Sequence, residues 1–410
     1  MVLSGNEFGV AADAKTPLLI SLALMLDPVR QEIAATSRTV VVKVGTRVLT
    51  HEDGSLDNDR VTAIAEQLVW LIEDQRQVVL VSSGAVGAGI GRLGLRRRPT
   101  DLGHLQAVAA VGQSRLIEAY NRALEPHGRH AAQILLTADD LNDRTRYLNV
   151  RNTLLAAFQY QAIPIINEND TVRVDELERS VGDNDRLAAM VTNLLRAPLL
   201  VLLSDVEGLY DGHPSRPESQ VIPTVENIDD AIRGFHAQTP VDAGPNQLSK
   251  GGMASKLEAA RLATTAGENV IIANGRRANV LMEIAAGAPI GTLFLAQGPA
   301  VASRKRWIGL TAHPTGRLLL DAGAQHALEK QGRSLLAVGV SSVVGDFHKG
   351  DVVALCRPDG VEIARGLINY GSDDLRRIVG QPKDRIVEIL GQRPYDEVIH
   401  RDNLALTGRE

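Results

Sequence analysis

Up to about residue 297, short unbroken apolar runs alternate with longer stretches in which apolar residues recur every three or four positions. The first run, Val40-Val41-Val42-Lys43-Val44, is continuous and β-branched, which predicts a strand covered on both faces of a parallel sheet. Similar runs follow at 77–81, 131–136, 163–166, 199–203, 269–273 and 292–295. Between the first two, Val61, Ile64, Ala65, Leu68, Leu71 and Ile72 are spaced as one face of a helix over 57–75. Helices are also predicted over 99–125, with Gly103 and Gly112 as interruptions, and over 144–161, 186–195 and 251–266. A turn-rich loop joins Ser204-Asp205 to Pro223. This alternation predicts an α/β fold: a mostly parallel open sheet sandwiched by helices. From about Ala302, short runs at 318–320, 335–340, 351–355 and 361–367 alternate with glycine turns, the pattern of a small β-rich domain with Gly298-Pro299 near the hinge.

A chain of 410 residues is too long for one core, so two or three domains are expected. The single cysteine, Cys356, excludes an intramolecular disulfide and Cys/His zinc clusters, and points to a reducing cytoplasm. The apolar stretch 17–26 lacks the basic flank of a signal peptide, since Glu7, Asp13 and a lone Lys15 precede it, and it is too short to span a bilayer. Residues 1–36 therefore read as an extension outside the catalytic fold, partly helical after Leu26, with Met25 a candidate natural start. No later segment is apolar enough for a membrane span.

Chemistry collects where the runs end. A lysine inside a buried run needs an anion, unless it snorkels from an edge strand. Gly45-Thr46 leave backbone N–H groups at the strand end, and Ser83-Gly84-Ala85 form a second glycine-rich junction of the kind that binds anions. Asn167-Glu168-Asn169-Asp170 and Gly182-Asp183-Asn184-Asp185 add acids, although helix capping accounts for one of the latter pair. In Lys250-Gly251-Gly252-Met253-Ala254-Ser255-Lys256, two cations flank a helix start, where they oppose the helix dipole unless a phosphate lies between them. The plainer reading of Lys256 is a solvated surface lysine. Residues 9–16 almost spell a P-loop, but Ala14 replaces the second glycine and no strand precedes it. Residues 89–94 match G-x-G-x-x-G but sit too far past the strand. Basic groups, acids able to hold Mg²⁺ and no Walker motif point to phosphoryl transfer from ATP on another scaffold. No general base is evident, which fits an acceptor carboxylate with a pKa of ~4.3, already ionised at neutral pH.

Taken together, Lys43-Val44-Gly45-Thr46, Ser82-Ser83-Gly84-Ala85, the two acidic motifs, Ser204-Asp205-Val206-Glu207-Gly208-Leu209-Tyr210 and Gly251-Gly252-Met253 resemble the glutamate 5-kinases of the amino-acid-kinase family, over roughly 38–297. Arg304-Lys305-Arg306-Trp307, Gly345-Asp346-Phe347 and Lys349-Gly350-Asp351 resemble the PUA domain of the long bacterial form. The resemblance implies an extension over 1–36, a catalytic domain over 37–298 and a PUA domain over 302–390. It implies ATP-dependent phosphorylation of the L-glutamate γ-carboxylate, opening proline biosynthesis. Lys43 and Lys256 would stabilise the phosphoryl group, and Asp183 and Asp185 would orient them and help place Mg²⁺. Ser83, Gly84, Ala85, Asp170 and Asn184 would hold glutamate. Lys43, Gly45, Thr46, Ser204, Asp205 and the segment from Lys250 through Gly251, Gly252, Met253, Ala254 and Ser255 to Lys256 would line ATP.

The resemblance also implies a dimer or tetramer, feedback by L-proline at or overlapping the glutamate site, and glutamate-5-semialdehyde dehydrogenase as functional partner; the charge-rich stretch 170–182 is the candidate proline sensor. Ser249-Lys250 depart from the Gly-Thr usual there, adding a charge beside the nucleotide. PUA modules contact RNA in other proteins, but a net charge of -5 and 3% aromatic residues favour a solvated or interdomain face for Arg304, Lys305, Arg306, Arg376 and Arg377. The other readings are an RNA-binding regulator with a degenerate kinase core and a sibling amino-acid kinase. Lys43, Asp183, Asp185 and Lys256 speak against the first. Asp170, placed to pair an α-ammonium, speaks against an N-acetylated acceptor.

Overall fold

The computed structural model describes residues 27–172, 184–214, 216–238, 252–297, 305, 307–391 and 395–407. Eight strands form the larger sheet: β1 (Thr39–Val44), β2 (Gln77–Ser82), β3 (His130–Leu136), β4 (Ala162–Glu168), β5 (Leu199–Ser204), β6 (Thr224–Val225), β7 (Asn269–Asn274) and β8 (Thr292–Phe294). Their order is β3-β4-β2-β1-β5-β7-β8-β6, parallel except where β8 runs antiparallel to β7. β1 lies centrally, paired on both edges to β2 and β5. Strand alternation divides it between two cores. Val40, Val42 and Val44 join one, with the helix Asn58–Glu73, while Val41 joins the other, with the helices Asn184–Leu195 and Met253–Ala266. Lys43 shares the Val41 face, so the alternation alone turns its stem toward those two helices.

The helix Asn58–Glu73 buries Val61, Ile64, Ala65, Leu68 and Leu71, and the Asp57 carboxylate accepts from Arg60 N at its start. The predicted interruption at Gly112 does not occur, because Leu102–Leu124 is one helix. Gly112 is instead where it crosses the helix Ala85–Leu93: a Cβ there would stand 1.8 Å from Ala85 O. Gly89, of the G-x-G-x-x-G look-alike, serves the same crossing, its Cβ position lying 2.0 Å from Val108 O. The helix Ile228–Gln238 falls beyond the predicted turn-rich loop, in a stretch with no element expected.

Residues 28–36, expected outside the catalytic fold, form the helix Pro28–Thr36 and pack onto it. Arg30 is buried and donates from Nη1 to Ile290 O and from Nη2 to Pro223 O, while Ile33 enters the core. Gly298-Pro299, the expected hinge, lies outside the described residues.

The second sheet has the order β10-β9-β11-β12-β13, built from β9 (Gly316–Leu320), β10 (Val340–Val344), β11 (Val352–Cys356), β12 (Glu362–Leu367) and β13 (Leu404–Leu406). β13 extends it past the boundary expected at 390. Only the last residue of the run 335–340 enters a strand, since Ala337–Gly339 form a 3₁₀ turn. Ahead of this sheet, Trp307 and Ile308 are buried in the same core as Leu187 and Val191, and their segment packs against the helix Asn184–Leu195. The Trp307 indole N–H donates to Leu141 O at 3.0 Å, its ring meets Tyr147 edge-on, and the Arg144 guanidinium lies 5.4 Å from both ring centres.

Candidate active site

Parallel strands bring their carboxyl ends to one edge, where open α/β sheets hold ligands. Val44 is level with Ser82 and Leu203 there, and Ser204 with Asn274. One residue short of that edge, Lys43 Nζ lies 2.5 Å from Asp185 Oδ1, and Lys256 Nζ lies 3.3 Å from Oδ2. Ser255 Oγ donates to Oδ2 at 3.2 Å. None of the three charged residues is more than 5% exposed. Burial pushes the Asp185 carboxyl up, but Lys43 and Lys256 outweigh it and hold the group below the usual carboxylate range. Asp185 stands in the first turn of Asn184–Leu195, where the helix dipole favours an anion. Lys256 stands in the first turn of Met253–Ala266, where the dipole disfavours a cation, so Asp185 supplies its counter-charge. Two ammonium groups sharing one carboxylate carry a net positive charge in a dry place. That arrangement suits a transferring phosphoryl group.

Beside it, Gly84 takes φ +111° to turn the chain into the helix Ala85–Leu93, a conformation that favours glycine. Asn184 Nδ2 donates to Ser83 Oγ and to Asn167 Oδ1, both at 3.0 Å, and Asn167 Nδ2 donates to Gln113 Oε1 at 2.8 Å. Adjacent residues, Asn184 and Asp185, thus tie the Ser83 junction to the lysine pair. Asp170 opens the single turn Asp170–Val172, which packs beside Leu102–Leu124. Asp183, Lys250 and Gly251 lie outside the described residues.

On the other flank, the Gly45 N–H, expected to be free, donates to Leu203 O at 3.0 Å because the β1–β5 ladder runs on by a residue. Thr46 opens the one-turn helix Thr46–Leu49. A Cβ on Gly45 would stand 3.6 Å from Lys43 Nζ, an ordinary contact distance, so the residue lies against the ammonium without space there demanding a glycine. Ser204 is buried and donates from Oγ to Asp205 Oδ1 at 3.1 Å, and Asp205 pairs with Arg47 at 3.0 Å. Gly252 caps the helix that carries Met253, Ala254 and Ser255. Ser255, expected at the nucleotide, turns its hydroxyl to Asp185. Asn167, Gln113 and Arg47 were not singled out from sequence. Asn167 shares a motif with Asp170, and Arg47 follows Gly45-Thr46, but Gln113 sits in a helix interior with no local signal.

Among the described residues, no group of three or more His, Cys, Asp or Glu is placed to hold a metal ion. Both Asp185 oxygens face ammonium groups, so Asp185 fits the orienting of lysines and not direct ligation of Mg²⁺. Among the described residues, no helix is long and apolar enough to cross a membrane.

The sequence profile of the amino acid kinase family matches residues 38–274, and that of the PUA domain matches 316–390. A glutamate 5-kinase of Rhodopirellula baltica is 50% identical over 378 residues, 92% of this chain and 96% of its own. One from Pseudomonas fluorescens is 46% identical over 92% of this chain and 100% of its own. A solved carbamate kinase from Giardia lamblia, bound to AMP-PNP, shares 16% identity over 64% of this chain and 100% of its own, with a TM-score of 0.46. On the strength of the sequence relatives, the chain belongs to the amino acid kinase family, within the glutamate 5-kinases that carry a carboxyl-terminal PUA domain.

Proposed function

We propose that the protein transfers the γ-phosphoryl group of ATP to the γ-carboxylate of L-glutamate, giving L-glutamyl 5-phosphate, the first step of proline biosynthesis. The observation that carries this reading is the buried Lys43–Asp185–Lys256 bridge beside the Ser83–Asn184 junction. The acceptor carboxylate is ionised at neutral pH, so the site must position it and neutralise charge without removing a proton. Lys43 and Lys256 offer ammonium groups to the phosphoryl oxygens, and Asp185 holds the two at a fixed separation. Asp183 is assigned as a second orienting acid. The Ser83 hydroxyl, the Gly84 and Ala85 amides and Asn184 hold glutamate, and the Asp170 carboxylate takes its α-ammonium in a charge-assisted bond. Gly45, Thr46, Ser204, Asp205 and the segment 250–256 line ATP. Mg²⁺, carried on the nucleotide phosphates, supplies further charge neutralisation there.

We assign L-proline as a feedback inhibitor overlapping the glutamate site, and a homo-oligomer as the working form. The acyl phosphate product is labile, so glutamate-5-semialdehyde dehydrogenase is the partner that consumes it. The test is hydroxamate formation: hydroxylamine traps an acyl phosphate and reports the bond formed, not merely loss of ATP. Signal with L-glutamate, absent with N-acetylglutamate or aspartate and dependent on Mg²⁺, is the expected result. Equal signal with N-acetylglutamate would remove the role given to Asp170.

A further inference from the structure

Away from the lysine bridge, three arginines border one cavity. Arg92 closes the helix Ala85–Leu93, Arg115 and Arg122 project from Leu102–Leu124, and Ser55, Leu56 and Asn58 complete a space of about 240 Å³. Glu118 is the acid among them, accepting from Arg115 at 2.5 Å on one oxygen and from Arg122 on the other. The nearby Asp53 carboxylate is turned to Ser55, accepting from its N–H and its hydroxyl. Arg92 enters no ion pair among the described residues, and Arg96, Arg97 and Arg98, just beyond it, are exposed. Three guanidinium forks against Glu118 and a self-occupied Asp53 leave unmatched donors of the geometry that grips phosphate or carboxylate oxygens. The space is a depression open to solvent, with the Arg115 and Arg122 side chains 40% and 61% exposed, and it is smaller than the ~300–1,000 Å³ of sites for drug-sized ligands, which suits a compact polyanion.

The cavity also touches the catalytic edge. Leu56 borders it, and its Cδ1 lies 3.6 Å from where a Cβ on Gly84 would stand. The turn it belongs to is pinned by a bridge between Thr50 and Leu56, and Gly54 O presses on Gly87, 2.6 Å from its Cβ position. One apolar side chain therefore lies between the arginines and the Ser83–Ala85 junction.

We propose that this cavity is an effector site for a small polyanion, phosphate or polycarboxylate, held by Arg92, Arg115 and Arg122 and felt at the acceptor junction through Leu56. The effect on the acceptor rests on reading Ser83–Ala85 as the glutamate site, whereas the binding does not.

Isothermal titration of the full-length protein with inorganic phosphate, and separately with citrate, tests it against the Arg92→Ala/Arg122→Ala variant. Anion binding at the catalytic edge is common to both proteins, so the difference isolates the arginine cavity. The expected result is one additional anion on the unsubstituted protein, weakened by salt, and the arm that gives it identifies the anion's class. At fixed free Mg²⁺, saturation with that anion shifts the KM for L-glutamate about fivefold, and the variant loses the shift while keeping the basal kcat. Superimposable isotherms in both arms, or an unchanged KM at saturation, would overturn the proposal. Circular dichroism checks the fold, and Arg92→Gln, which removes a single exposed guanidinium, repeats the test if the double variant misfolds. Absence of any hydroxamate before anion is added defeats the acceptor reading instead, and the isotherms still decide the site.

Discussion

Asp185 lies between two ammonium groups that would face each other unshielded without it. Asp185→Asn keeps the shape and removes the charge, leaving two buried cations uncompensated. The expected loss is about 3–5 kcal/mol of stability, read by urea denaturation, together with loss of turnover. Lys256→Ala leaves the Lys43–Asp185 pair standing, so stability should fall much less while kcat drops about 10²–10³-fold. Equal destabilisation by the two substitutions would show that the bridge does not centre on the acid. The pH dependence follows from the depressed Asp185 carboxyl. Its stabilisation is complete above the unfolded value of ~3.9 and is lost as pH falls through the lower folded value. The stability gap between the unsubstituted protein and Asp185→Asn should therefore narrow on acidification below about pH 4. A gap that widened there would contradict the sign.

Between the helices Ala85–Leu93 and Leu102–Leu124 there is no room for a methyl group at Gly112, whose Cβ would also stand 2.3 Å from Gly89 N. Gly112→Ala must push the helices apart, at about 1–3 kcal/mol. Because Ala85 opens the first helix at the acceptor junction, the KM for glutamate should rise more than kcat falls. Steady-state kinetics beside a denaturation curve checks both, and a variant of normal stability would refute the close crossing. This position also marks what a single sequence conveys. Continuous runs such as Val40–Val44 announce strands because both faces are covered, and Lys43 is conspicuous inside one. A helix glycine reads equally as a break or a crossing until its neighbour is known. Partners far apart along the chain leave still less trace: Gln113 meets Asn167 across 54 residues and Arg47 meets Asp205 across 158. The helix Ile228–Gln238 places Ile228, Ala231, Ile232 and Phe235 at i, i+3, i+4 and i+7, the spacing of one apolar helix face, so this element was legible in the sequence although none was expected there.

Across the whole molecule, the two sheets are joined by a segment that belongs to the first core although it precedes the second sheet in the chain. Trp307 is 3% exposed, and Val352 and Ala405 of the second sheet reach the same core. His313 extends the joint by meeting Asn142 at 2.9 Å. Burial lowers the His313 pKa, aided by Arg186 and Arg365. A neutral ring therefore suits the joint at neutral pH, and only acidification would charge it beside two guanidinium groups. Trp307→Ala removes the edge contact with Tyr147, the cap over it by Arg144 and the bond to Leu141 O, a loss of about 3–5 kcal/mol. Because the tryptophan backs the helix that begins with Asn184 and Asp185, heat inactivation of the kinase should begin at lower temperature, together with loss of the amide-exchange protection signal of the second sheet. If activity held to the unsubstituted temperature while that signal was lost early, the joint would be serving the carboxyl-terminal domain alone. Coincident loss would show that the catalytic helix and the second sheet melt as one cooperative unit.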